Sequence, residues 1–257
     1  MSRRIVLAPQ KGPQEMFLAT SADICIYGGA AGGGKTFGLL LEVLRHKNNK
    51  NFNALIFRRD YNQVTSPGGL WDSSKKLYSY VKGCYPLKTP KLHWTFPSGA
   101  SVNFAHLGSD EDCLSWQGSQ ITMLGFDELT HFSEYQFFYM LSRNRTDSGI
   151  SPYIRATCNP DADSWVAGFI SWWIDQETGY PVPDRSGKVR WMVRINEVIH
   201  WYDSIEEAVK AAVESGIEER EAARMPKTVT FIASTLQDNK ILMANDPGYL
   251  ANLLALS

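Results

Sequence analysis

Gly29-Ala30-Ala31-Gly32-Gly33-Gly34-Lys35-Thr36 fits the pattern G-x-x-x-x-G-K-[ST] at every position. Glycines let successive backbone N–H groups turn toward one anion without a Cβ clash. The flanks are those such a loop requires. Residues 24–27 are a short apolar run of strand character, and residues 36–46 carry Phe37, Leu40, Leu41 and Leu44 at helical spacing. A helix starting near Lys35 adds the positive end of its dipole to the cradle. Strand, loop and helix together predict a triphosphate site. Gly29, Ala30, Ala31, Gly32, Gly33 and Gly34 bind phosphate through the backbone, Lys35 neutralises the β/γ oxygens, and Thr36 offers its hydroxyl to Mg²⁺. A merely flexible glycine turn has no need of the Lys-Thr pair.

Working outward, apolar runs alternate with amphipathic ones. Residues 54–57, 121–126, 154–158, 189–195 and 228–233 read as strands, and 93–96 with 101–107 flank Pro97-Ser98-Gly99 as a hairpin. Residues 70–81, 165–173 and 246–256 read as helices. Two more open on capping boxes, Ser133 with Gln136 (running to Leu141) and Ser204 with Glu207 (running to about Glu214). Residues 176–187, with two prolines and two glycines, read as a loop. The alternation predicts a mostly parallel sheet with helices on both faces.

Residues 121–126 end in Asp127-Glu128. Ligands of open α/β sheets sit at the carboxyl ends of strands, which brings Asp127 toward the metal held by Thr36 and sets Glu128 to polarise an attacking water. Helix capping is the plainer role for such a pair. The guanine-selecting N-K-x-D pattern is absent, since Asp238-Asn239-Lys240 has the wrong order. The nucleotide is therefore expected to be ATP. Asn159, after the strand at 154–158, is either a γ-phosphate sensor or an ordinary Asn-Pro turn. Gln14 is either an adenine reader or a surface amide. Arg143 and Arg145 are either arginine fingers reaching a neighbouring subunit or helix-end cations. Arg58 and Arg59 can contact phosphate or bind an acid such as Asp60.

The 257 residues are 44% hydrophobic and 21% charged, the composition of a soluble globular protein with one large domain or one with an appendage. Cys25, Cys84, Cys113 and Cys158 lie far apart and form no C-x-x-C pair, so a reducing intracellular setting is expected and a zinc site is not. A formal net charge of -1 means that any nucleic-acid contact comes from a local patch. Lys75, Lys76, Lys82, Lys88 and Lys91, interleaved with Tyr78, Tyr80 and Tyr85, are such a patch or a solvated helix face. No run reaches the roughly 18 apolar residues of a membrane span, and no signal peptide is read at the N-terminus.

These motifs resemble the ATPase domain of bacteriophage terminase large subunits, the motors that package viral DNA. The segments that carry the resemblance are Gly28 through Thr36, Phe57-Arg58-Arg59, Trp116-Gln117-Gly118, Leu124 through Phe132, Arg155 through Pro160, and the closing stretch from Leu236-Gln237-Asp238-Asn239 to Asp246-Pro247-Gly248-Tyr249. The resemblance implies an additional-strand, RecA-like P-loop fold over residues 1–257, with about 165–225 forming most of a small lid subdomain. It implies Gln14 at adenine, Lys35 and Thr36 in Walker A, Asp127 and Glu128 in Walker B, Thr157-Cys158-Asn159 as the coupling motif, and a trans-acting arginine among Arg143 and Arg145. It further implies Mg-dependent ATP hydrolysis driving double-stranded DNA into a procapsid in the host cytoplasm. The partners would be the portal, the small terminase subunit and further copies in a ring. The family's RNase H-like nuclease would begin near Ser257, so no nuclease activity is expected of these residues. A helicase or recombination ATPase and a P-loop kinase are the alternatives.

Overall fold

The computed structural model describes residues 6–29, 32–246 and 248. Helix α1 (Pro13–Ala19) leads into β1 (Ile24–Gly29), the glycine loop and α2 (Lys35–Val43), which tightens into a 3₁₀ turn at Leu44–His46. Then follow β2 (Asn53–Arg58), α3 (Tyr61–Thr65), α4 (Leu70–Tyr78), β3 (Tyr85–Leu87), β4 (Leu92–Thr95) and β5 (Ser101–His106). Next come β6 (Met123–Phe126), α5 (Glu134–Leu141), β7 (Tyr153–Cys158), α6 (Trp165–Phe169), β8 (Val189–Ile195) and β9 (Val198–Tyr202). The chain closes with α7 (Ile205–Glu214), α8 (Glu219–Ala222), β10 (Lys227–Ser234) and α9 (Lys240–Asn245).

Among the described residues the strands form one ten-stranded sheet, ordered β3-β4-β5-β2-β6-β7-β1-β10-β8-β9. The six central strands, β5 to β10 in that order, are parallel. Antiparallel pairs close both margins. Central strands buried on both faces are mostly apolar, as β1 is; β7 is equally buried but carries Arg155, whose guanidinium is met by the Ala22 and Thr20 carbonyls, and Thr157. Alternate residues of β1 serve opposite layers. Cys25 and Tyr27 pack with Leu39 and Leu40 of α2 and Trp71 of α4, while Ile24 and Ile26 join Phe137 of α5 and Phe169 of α6.

The capping box at Ser133 forms as read, with Gln136 N–H donating to Ser133 Oγ and Ser133 N–H to Gln136 Oε1, both at 3.0 Å. At Ser204 only half of it forms: Glu207 N–H donates to Ser204 Oγ, but the Glu207 carboxylate accepts from Asp203 N–H instead. The helix expected over 165–173 breaks at Ile170, and Ser171–Trp173 turns as a 3₁₀ segment that buries Trp173 with its indole N–H on the Lys188 carbonyl. Residues 165–225 continue the main sheet through β8 on β10, and β8 shares a small cluster of Val193, Ile195, Ala208, Ala212 and Ala222 with α7 and α8. The helix expected over 246–256 lies almost wholly outside the described residues. No helix among those described is long and apolar enough to cross a membrane.

Candidate active site

β2, β6, β7 and β1 are consecutive parallel neighbours, so their carboxyl ends line one edge of the sheet. Each end delivers one part of the site. β1 delivers the glycine loop. Its last residue, Gly29, has φ +146°, and a Cβ there would stand 1.9 Å from the Ser234 carbonyl oxygen, so only glycine fits. Gly34, with φ +74°, turns the chain into α2. Lys35 is 9% exposed and its ammonium donates to the Gly29 carbonyl at 2.9 Å. Burial holds its pKa below the usual lysine range.

β6 delivers Asp127, which is 1% exposed. Its carboxylate accepts from the Thr36 hydroxyl at 3.1 and 3.2 Å, from the Thr157 hydroxyl at 2.7 Å, and from Arg58 Nε at 2.8 Å. Arg58 Nη2 stands 2.6 Å from the same carboxylate. Burial works against the Arg58 cation, but Asp127 and Glu128 outweigh it and raise its pKa. Residues 91 positions apart in the chain, Thr36 and Asp127, thus meet as a hydroxyl and a carboxylate. This pair of hard oxygen donors suits Mg²⁺, which keeps most of its shell for phosphate and water. No group of three or more His, Cys, Asp or Glu among the described residues forms a metal cage of its own.

Glu128 has φ +66°, a left-handed conformation unusual outside glycine. β7 explains how it is held: Glu128 N–H donates to Thr157 Oγ1 at 3.0 Å. One hydroxyl therefore grips both acids, the side chain of Asp127 and the backbone of Glu128. The Glu128 carboxylate lies 3.2 Å from His131 Nδ1 and 3.8 Å from Arg58 Nη2.

The remaining sequence candidates are distributed differently. Gln14 is buried under the loop; its Nε2 donates to the Gly34 carbonyl and its Oε1 accepts from Gln10 N–H. Asn159 is exposed just beyond β7, its carbonyl facing the Thr130 hydroxyl at 3.4 Å. Arg143 and Arg145 sit at the opposite end of β6, where Arg143 lies over the Tyr139 ring and Arg145 reaches the Gly118 and Ser119 carbonyls. The stretch from Thr122 to Asp127 separates them from the acids by roughly 16 Å of strand. Ala30 and Ala31 lie outside the described residues. Arg58 takes Asp127 and Glu128 as partners in place of Asp60, because the strand end carries its side chain across the sheet edge; Arg59 instead donates to Gln136 Oε1. His131 and Asn239 stood in the sequence only as members of longer segments and Gln10 not at all; none had a site role, since no motif spacing marks a lone amide or imidazole.

A phosphate loop and an acid pair on strands separated by one further strand define an additional-strand, RecA-like P-loop NTPase fold. The family model of the terminase large subunit, T4likevirus-type, N-terminal, matches residues 26–257, and the chain belongs to that family. The large terminase of a thermophilic bacteriophage superposes with a TM-score of 0.53 at 14% identity, covering 91% of this chain and 47% of that one. The same phage's large terminase in complex with ATP-γ-S gives 0.51 at 16% identity, covering 91% and 47%. Its complex with ADP gives 0.52 at 15% identity, covering 90% and 46%. The chain thus spans about half the length of these solved structures. Comparison with curated proteins finds no match.

Proposed function

We propose that this chain hydrolyses Mg-ATP and that the hydrolysis powers translocation of double-stranded viral DNA into a procapsid. The observation that carries the reading is the convergence of Thr36, Asp127 and Glu128 on the edge where the glycine loop opens. Loop amides and Lys35 hold the β/γ-phosphates; Thr36 and Asp127 hold Mg²⁺, which when bound neutralises phosphate charge. Glu128, steadied by Thr157, Arg58 and His131, orients water for in-line attack and takes up its proton. Gln14, Asn159 and one of Arg143 and Arg145 are proposed respectively at adenine, at the γ-phosphate and in trans. The position of both arginines, far from their own subunit's acids, favours action on a neighbour. That implies a ring, assembled with the portal and small subunit in the host cytoplasm. Residues 165–225 are proposed as the lid.

The test is Glu128→Ala. ATP binding is expected to persist while phosphate release falls by at least ~10²-fold; retained turnover would remove Glu128 as the base. Phosphoryl transfer to a small acceptor without phosphate release would instead make the chain a kinase.

A further inference from the structure

Three consecutive carbonyls of the glycine loop, those of Gly32, Gly33 and Gly34, are each met by a side chain. Asn239 Nδ2 donates to Gly32 O. The Tyr27 hydroxyl faces Gly33 O at 3.4 Å, and Gln14 Nε2 donates to Gly34 O at 2.9 Å. Gln10 ties the outer two together. Its backbone N–H donates to Gln14 Oε1 and its Nε2 donates to Asn239 Oδ1, both at 2.8 Å. Gln10 Oε1 in turn accepts from Ile241 N–H at 3.1 Å. The packing is close: a Cβ on Gly34 would stand 3.1 Å from Gln14 Nε2 and 3.5 Å from Asn239 Nδ2. Segments 229 residues apart therefore meet on the back of one loop.

The physical consequence follows from the peptide plane. A carbonyl held outward fixes the N–H of the next residue pointing inward. Held at Gly32, Gly33 and Gly34, the backbone keeps its donors aimed at the anion before the anion arrives. A glycine-rich loop otherwise loses much conformational freedom on binding, and ordering it beforehand removes that cost.

We propose that Gln10 and Asn239 are positioning residues for the phosphate site, closing with Gln14 a side-chain clasp that pre-orders the glycine loop for a polyphosphate. The proposal rests on the loop being a triphosphate site, as argued above. It assigns Gln14 a role that does not depend on the base.

The test uses binding of inorganic tripolyphosphate, ATP and GTP, each with Mg²⁺, by isothermal titration, with thermal melting as the fold control. Asn239→Ser keeps an oxygen for the α9 N-cap, where Asn239 Oδ1 accepts from Leu242 N–H, but is too short to reach Gly32. Asn239→Ser and Gln10→Ala are each expected to weaken all three ligands by the same factor, about five- to tenfold, with Tm little changed. The double variant is expected to lose less than the product of the two, because the clasp acts as a unit. A loss confined to ATP would make the cluster a base reader and overturn the clasp. So would unchanged tripolyphosphate affinity in a folded Asn239→Ser protein. If Asn239→Ser unfolds, Gln10→Ala decides alone by the same criteria. Failure of the unsubstituted protein to bind tripolyphosphate, ATP or GTP would sink the triphosphate reading itself, and is told apart by Lys35→Ala having no affinity left to lose.

Discussion

Replacing Thr157 by valine removes one oxygen and keeps the volume, which isolates the hydroxyl that grips both acids. The bond to Asp127 is charge-assisted and buried, worth about 1.5–3 kcal/mol. Glu128 N–H also loses its acceptor, at a cost of about 1–3 kcal/mol for a stranded donor. The two share one atom and do not add, so a total of about 3 kcal/mol is expected. For a chain of this size that lowers Tm by roughly 6–12 °C. The kinetic effect is the sharper one. Glu128 keeps its left-handed φ only while its backbone is held, and a misplacement of about 1 Å costs up to ~10²-fold in rate. We expect kcat for phosphate release to fall about 10- to 100-fold, with the affinity for ATP within about threefold, because the loop is untouched. Thr157→Ser restores the hydroxyl and most of the rate. Thr157→Val with the parental kcat would refute the argument that this hydroxyl places the base.

Gly29→Ala forces a Cβ against the Ser234 carbonyl, so the β1–β10 ladder must open; urea unfolding should show a loss of about 3 kcal/mol or more. Glu197→Gly relieves a left-handed φ of +67° at the β8–β9 turn, and is expected to raise stability by about 0.5–1 kcal/mol and Tm by a few degrees in scanning calorimetry. Burial pushes the Cys25 and Cys158 thiols up to about 12 and those of Cys84 and Cys113 up to about 11. At pH 8 all four stay protonated, so a disulfide reagent should label the native protein slowly, half-buried Cys84 first, and all four thiols promptly in denaturant.

The parallel core was legible because each strand holds a short buried apolar run, such as 24–27, 54–57 and 123–126, and because the stretches between them show helical spacing and, at Ser133, a capping box. The antiparallel margins were harder. β9 was missed because its turn is Asn196-Glu197, both at positive φ, without the glycine that usually announces a two-residue hairpin. β3, at Tyr85–Leu87, is short, exposed on every residue and contains a proline, which leaves no alternation to read. The site divides in the same way. Lys35, Thr36, Asp127 and Glu128 stand in patterns whose spacing is set by phosphate and strand geometry. Arg58 was visible as a strand-end cation, but its acid is fixed by which strand lies alongside, and Asp127 at the end of β6 is 69 residues further on. Gln10 and Asn239 needed the closure of the chain's two described ends onto one loop, which no local pattern encodes.

The row of strand tips has a mechanical consequence. Arg58, the two acids, Thr157 and the glycine loop project from four adjoining ribbons about 4.8 Å apart, spanning about 14 Å in all. Tension along the strands loads many backbone bonds of the sheet in shear at once, and no single tip can advance without breaking register with its neighbours. The sheet is a rigid anvil. Behind this row the stretches before β1 and after β10 meet at a joint of three side-chain amides, Gln10, Gln14 and Asn239, which ties the two described ends of the chain to the loop that the row supports.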